Sequence, residues 1–238
     1  MIRFIALNAF IAVHTIIFCV WGFFVSFVDK NGRRMHRFAA VPWSKMILRV
    51  CGVKVKVVGL ENVEKHVPYV YMTNHQSYFD IFALLAFIPS DFKFILKQEL
   101  MRIPILGFSM RKAGYIAIDR EDPRRAVRSL NEAALRIKGG TSVVIFPEGT
   151  RSVDGVLQPF RPGGFHLALK AGCDIVPVAI SGSFRIVPKG SLKIKKGRFA
   201  LALGKPISLS PYSKKNMDLL MNRVREAMLL QMKSEPLS

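Results

Sequence analysis

Cysteine and acid are both scarce in this 238-residue chain, and each shortage excludes something. The three cysteines, Cys19, Cys51 and Cys173, are widely spaced and form no C-x-x-C pattern. An odd, scattered set argues against a disulfide framework and a zinc site, and points to a reducing compartment. Asp and Glu number 16 against 36 Lys and Arg, a net charge of +20. A surplus of that size asks for a polyanionic partner, either nucleic acid or an anionic lipid surface. No RNA- or DNA-binding motif occurs and the aromatics lie mainly in apolar runs, so no nucleic-acid partner is expected and the lipid surface remains. Internal repeats and low-complexity linkers are also missing. What is present is apolar: half the residues are hydrophobic, which excludes disorder and is high for a purely cytosolic protein. The length allows one substantial α/β domain with a short appendage.

Residues 4–28 contain no charged side chain if His14 is neutral. As a helix this stretch would span a hydrocarbon core of about 30 Å. It has no small-residue cleavage site of the A-x-A kind, so a cleaved signal peptide is not expected. A buried core helix is the alternative, and whether the helix crosses the bilayer or dips into one leaflet stays open. Residues 33–50 then mix Arg33, Arg34, Arg37, Lys45 and Arg49 with Met35, Phe38, Trp43 and Ile47, as an interfacial helix would, with Pro42 expected to kink or divide it. The basic residues after the apolar run outnumber Arg3 before it, which puts the downstream domain at the cytoplasmic face of a cell membrane.

The remainder reads as one α/β domain. Strands are expected over residues 53–58, 69–72, 92–96, 115–118, 142–146 and 175–180. Helices are expected over 81–88, 126–137 after Pro123, 165–171, and 217–232. Residues 192–194 and 199–203 look like a terminal β pair. Strand and helix alternate, so the fold class is α/β: a single mixed, largely parallel sheet flanked by helices, behind an N-terminal hydrophobic and interfacial helical membrane anchor. The expected division is 1–52 for the membrane-associated helices and 53–238 for the catalytic domain.

Two short constellations carry chemistry. In Asn74-His75-Gln76-Ser77-Tyr78-Phe79-Asp80, the strand should end before Asn74 and a helix begin near Ser77, so His75 and Asp80 lie at a strand-to-helix junction. The carboxylate can reach one imidazole nitrogen, fix the tautomer, and leave the other nitrogen to take a proton from an alcohol. Another role for Asp80 stays open, because Ser77-x-x-Asp80 is also a capping-box pattern.

The second constellation is Phe146-Pro147-Glu148-Gly149-Thr150-Arg151. Gly149 permits a tight backbone path near a ligand, and Arg151 offers a planar fork for phosphate oxygens. Thr150 can add a hydroxyl or cap a turn. Glu148 would orient Arg151 or the turn, or accept from a substrate hydroxyl. Lys97 and Arg120 follow other strands and can join Arg151 as phosphate-binding cations at one sheet edge; an ordinary solvated charge is the alternative for each.

With these residues in view, the chain resembles the glycerolipid acyltransferase family that includes 1-acyl-sn-glycerol-3-phosphate acyltransferases. His75 and Asp80 match its first motif and Gly114-Tyr115-Ile116-Ala117-Ile118-Asp119-Arg120 its second. Phe146 to Arg151 matches the third and Ile175-Val176-Pro177-Val178-Ala179-Ile180 the fourth, all in order. Two mild departures, Ala117 for a bulkier apolar residue and Arg161 for a frequent lysine, bear on substrate fit.

The resemblance implies acyl transfer from acyl-CoA or acyl carrier protein to the 2-hydroxyl of a lysophosphatidate, giving phosphatidic acid in phospholipid biosynthesis. In that scheme His75 is the general base and Asp80 its orienting carboxylate. Arg151, Arg120 and Lys97 hold the phosphate, and Glu148, Gly149 and Thr150 serve substrate binding or structure. Backbone amides near Gly149 are candidate oxyanion donors. No metal and no cofactor are expected; the acyl donor is a substrate. Membrane lipids, the acyl donor and an anionic phospholipid surface are the expected partners. Two other readings remain: an acyltransferase of the same fold acting on another lysolipid, and a non-catalytic basic membrane-binding protein.

Overall fold

The computed structural model describes residues 1–119 and 122–234. In chain order the elements are α1 (Ile2–Ser26), α2 (Arg33–Met35), α3 (Val41–Cys51), β1 (Val53–Val58), β2 (Val70–Thr73), α4 (Phe79–Phe87), β3 (Phe92–Lys97) and α5 (Leu106–Lys112). They continue with β4 (Ile116–Ile118), α6 (Pro123–Lys138), β5 (Ser142–Ile145), α7 (Gly163–Ala171), β6 (Ile175–Ser181), β7 (Gly197–Leu203) and α8 (Met217–Ser234). One seven-stranded sheet runs β1-β7-β6-β2-β5-β3-β4. Every pairing is parallel except β6 with β7. The expected mixed, largely parallel sheet is what forms.

Side-chain alternation divides the core between the two faces of the sheet. Tyr69 and Tyr71 of the β2 region point to one face, where they join Phe79, Leu84 and Leu85 of α4 and Ile47, Leu48 and Cys51 of α3. Val70 and Met72 point to the other, against Ala133 and Ile137 of α6, Phe165 and Leu167 of α7, and Leu220 and Val224 of α8. With helices on both faces the central strands have no solvent side, and every residue of β2 and β5 is buried.

One expected strand does not form. Residues 192–194 are irregular, although Leu192-Lys193-Ile194 alternates as a strand would. Both edges of β7 are already taken, by β1 in parallel and β6 antiparallel, so no ladder is left for a further partner. Ile194 packs into the core instead, and the Lys195 amide donates to the Ile186 carbonyl.

The N-terminal helices lie along the domain. α1 has 25 residues, and among the described residues it is the one helix long and apolar enough to cross a membrane. Most of its surface is outside any core, with Ile5, Val13, Ile17, Val20 and Phe24 exposed. Pro42 divides the following segment as expected: a π-helical turn, His36–Ala40, precedes it and α3 carries the proline in its first turn. Proline cannot donate to the carbonyl four residues back, Phe38 O. That carbonyl accepts from the Trp21 indole at 3.0 Å instead, a bond that ties α1 to this break. Trp43 Nε1 donates to Thr15 Oγ1 at 3.1 Å and closes a second tie.

Candidate active site

The parallel strands β2, β5 and β3 end side by side, and the loops that follow them meet at one edge, as open α/β sheets favour for ligand sites. The loop after β2 carries His75. Asn74 anchors it by behaving like one more residue of the sheet. Its Nδ2 donates to Ile180 O at 2.8 Å and its Oδ1 accepts from Ile180 N at 2.7 Å, both on β6. Helix α4 begins at Phe79, so Asp80 sits in its first turn and faces back toward the loop.

His75 Nδ1 donates to Asp80 Oδ2 at 2.8 Å. The same oxygen accepts the amides of Gln76 (2.7 Å) and Ser77 (2.9 Å), and Ser183 Oγ donates to Oδ1. The two roles open for Asp80 are therefore both filled: it binds the helix-start amides and the imidazole together. Asp80 is wholly buried, and these donors compensate its removal from water. The opposite face of His75 is set by Phe146, stacked at 4.0 Å between ring centroids. Ring and tautomer are fixed, and Nε2 has no hydrogen-bond partner among the described residues.

Glu148 does not orient Arg151. Its Oε1 accepts the His75 amide at 2.6 Å and its Oε2 the Gln158 amide at 2.7 Å, so this carboxylate staples the β5 loop to the His75 loop. Burial pushes the Glu148 carboxyl above its usual range, and the two amides partly offset that. A further bond, Ser152 N to His75 O at 2.7 Å, closes the same seam. Gly149 adopts φ +72°, and a Cβ there would come within 3.0 Å of Arg161 Nε, so the tight path needs glycine. The Gly149 amide donates to Phe146 O at 3.0 Å, closing the turn.

Arg151 stacks its guanidinium over Tyr78, 3.8 Å from the ring centroid. Its Nη1 is shielded from solvent and lacks a hydrogen-bond partner, one of four such side-chain atoms among the described residues. A donor held in that condition suits an anion. Beside it, Lys189 Nζ donates to Thr150 Oγ1 at 3.1 Å. Lys97 ends β3 at the same sheet edge, with its Nζ 3.1 Å from Glu99 Oε1. Arg120 lies outside the described residues. No group of three His, Cys, Asp or Glu side chains that would hold a metal ion occurs among those described.

Several contributors escape sequence reasoning. Ser183 and Asn74 act through partners more than a hundred residues away, Tyr78 offers a ring face, and Lys189 sits in an irregular segment. The one available signal was Asn74, which precedes His75 directly.

A family model described as Acyltransferase matches residues 54–181. A chloroplastic 1-acyl-sn-glycerol-3-phosphate acyltransferase of Arabidopsis thaliana is 38% identical over 204 residues, 85% of this chain and 55% of that protein. The 1-acyl-sn-glycerol-3-phosphate acyltransferase of Saccharomyces cerevisiae is 35% identical over 181 residues, 75% of this chain and 59% of its own length. The chain spans about half the length of the curated relatives it matches. The crystal structure of the 1-acyl-sn-glycerophosphate acyltransferase PlsC from Thermotoga maritima superposes with a TM-score of 0.84 at 26% identity, covering 100% of this chain and 99% of that one.

Proposed function

The chain belongs to the acyltransferase family, and from that premise we propose that it transfers a fatty acyl group to the 2-hydroxyl of 1-acyl-sn-glycerol-3-phosphate. The donor is a thioester, acyl-CoA or acyl carrier protein, and the product is phosphatidic acid. The observation that carries this reading is the 2.8 Å bond from His75 Nδ1 to Asp80 Oδ2, which leaves Nε2 as the nitrogen for a substrate proton.

In this mechanism Nε2 takes the proton of the acceptor hydroxyl as its oxygen attacks the thioester carbonyl. Asp80 holds the imidazole in place and stabilises its positive charge. The tetrahedral oxyanion then collapses, the carbon–sulfur bond breaks, and the departing thiolate receives the proton from His75. No covalent enzyme intermediate forms. Arg151, with its unpartnered Nη1, binds the acceptor phosphate and so sets the hydroxyl beside the base. Lys97 adds a cation at the same edge, and Arg120 is assigned to the same phosphate from the family motif alone. The apolar α1 and the basic segment after it hold the domain on the cytoplasmic face of a membrane, where acceptor and product both reside.

The test is an acyl-transfer assay on purified protein, crossing acyl-CoA and acyl carrier protein donors with lysophosphatidate and other lysolipids. His75→Ala should lower turnover on the order of 10²–10⁴-fold while circular dichroism stays unchanged. Near-full activity in that variant would refute the mechanism. Acylation confined to phosphate-free lysolipids would refute the acceptor.

A further inference from the structure

An apolar groove of about 310 Å³ runs beside the site, between α1, α4 and the irregular segment after β6. Ile11, Trp43, Tyr78, Phe82, Val187 and Leu192 are among its walls. One wall residue is Tyr78, three residues past His75, with the Arg151 guanidinium on its ring. Val187 fixes the wall there, because its carbonyl accepts from Ser77 Oγ at 2.9 Å. Two residues further on, Lys189 reaches Thr150. Two other wall residues are joined: Asn8 Nδ2 donates to Leu192 O at 3.2 Å and bridges α1 to the segment. The groove thus has in its wall the ring that carries the Arg151 guanidinium, and the exposed apolar helix α1 contributes Asn8 and Ile11 to it.

We propose that this groove holds the hydrocarbon chain of the anionic single-chain acceptor lipid, with Arg151 and Lys189 receiving its phosphate. The proposal rests on the lysophosphatidate reading above and adds where that acceptor's own chain lies. A chain leaving a bilayer for an apolar groove exchanges one hydrocarbon environment for another, so the groove contributes little gross affinity. Its contribution is orientation: phosphate at one point and chain along one line leave the glycerol hydroxyl a single approach to His75.

A second apolar cavity, lined by Phe18, Gly22, Ala39 and Met110, lies between α1, α5 and the π-helical turn. Trp43 lines both cavities. Neither cavity has Lys or Arg in its walls, but the first includes Tyr78, on whose ring the Arg151 guanidinium rests, and the second does not. The charge at Tyr78 therefore assigns the acceptor chain to the first.

Two experiments test this. A lysophosphatidate with a diazirine at its chain end, photolysed with the protein in detergent micelles, should label the 186–194 peptide and the first half of α1. Labelling confined to the 106–113 peptide, or spread over α1 as with a phosphate-free analogue, overturns the proposal. The second uses Leu192→Trp. Leu192 is 59% exposed and its bond to Asn8 is through the backbone, so the substitution narrows the groove without entering the core. It should lower kcat/KM for long-chain acceptors about tenfold relative to short ones, and leave the donor chain-length profile unmoved. A shift in the donor profile, or none in the acceptor profile, overturns the proposal. If the wild-type protein acylates no lysophosphatidate, the reading of function fails, while the labelling pattern still decides the groove.

Discussion

Two histidine–aspartate pairs occur among the described residues, and only one has the geometry a general base needs. His75 and Asp80 meet at 2.8 Å at the sheet edge, where the aspartate accepts four donors and the imidazole keeps one nitrogen free. His36 and Asp91 lie where the π-helical turn packs beside β3, with 3.7 Å between Nδ1 and the nearer carboxylate oxygen, too long for a hydrogen bond. His36 is buried against Phe92, and burial, helped by the Lys93 charge, lowers its pKa to about 3. Asp91 spends its oxygens on Lys93 and Arg33, and Lys93 Nζ also donates to the Gly32 carbonyl at 2.8 Å. Proximity of the two residue types is therefore not what makes a general base. A short contact, a satisfied carboxylate and an open second nitrogen are.

The largest expected difference between the pairs comes from removing each carboxylate charge. Asp80→Asn puts an amide against Nδ1 and the two loop amides, and should lower kcat on the order of 10³–10⁴-fold. Asp91→Asn should leave kcat within a few-fold and lower the melting temperature, because Lys93 then stays buried with less compensation. Equal losses of kcat in the two variants would erase the distinction.

Sequence reasoning found the first pair because it is local: five residues, a strand end and a helix start suffice to bring the groups together. It could not see the third partner. Ser183 reaches Asp80 only because β6 lies next to β2, a fact of topology rather than spacing. Glu148 was legible as a motif residue but not as a staple, since both its partners are backbone amides, which any residue type carries. Residues 192–194 misled because period-two alternation marks a half-buried segment, strand or not. The sheet itself was readable because its strands are apolar runs separated by helices that stop at Gly52, just before Pro89, and at Gly139 and Gly172, and parallel pairing follows from that alternation.

Arg151→Ala probes the proposed phosphate contact beside His75 and Asp80 and should have an intermediate effect. Its guanidinium rests on Tyr78, not on the dyad, so the base stays assembled. The apparent KM for a phosphate-bearing acceptor should rise, lowering kcat/KM about 10- to 100-fold, with kcat nearly kept. A phosphate-free lysolipid should show little change. The same rise for both acceptors would mean that Arg151 shapes the loop and does not bind the anion.

The smallest effect belongs to His36. Its folded-state pKa is depressed, so it is neutral in the fold and charged in the unfolded chain below about pH 6.5. Its contribution to stability is present above pH 6.5 and is lost progressively as pH falls from there toward about 3. Between pH 7 and pH 6 the loss from this group is roughly 0.7 kcal/mol by linkage. Asp91, raised chiefly by burial, works in the opposite direction at lower pH, so the informative quantity is a difference between proteins. His36→Phe keeps a ring against Phe92 and removes the titration; its melting temperature should fall less than that of the wild type between pH 7 and 5.5, with the pH profile of kcat unmoved. Parallel slopes in the two proteins would mean that His36 takes up its proton equally in the folded and unfolded chain, and a steeper fall in His36→Phe would mean that it is held protonated against Asp91, an ion pair after all.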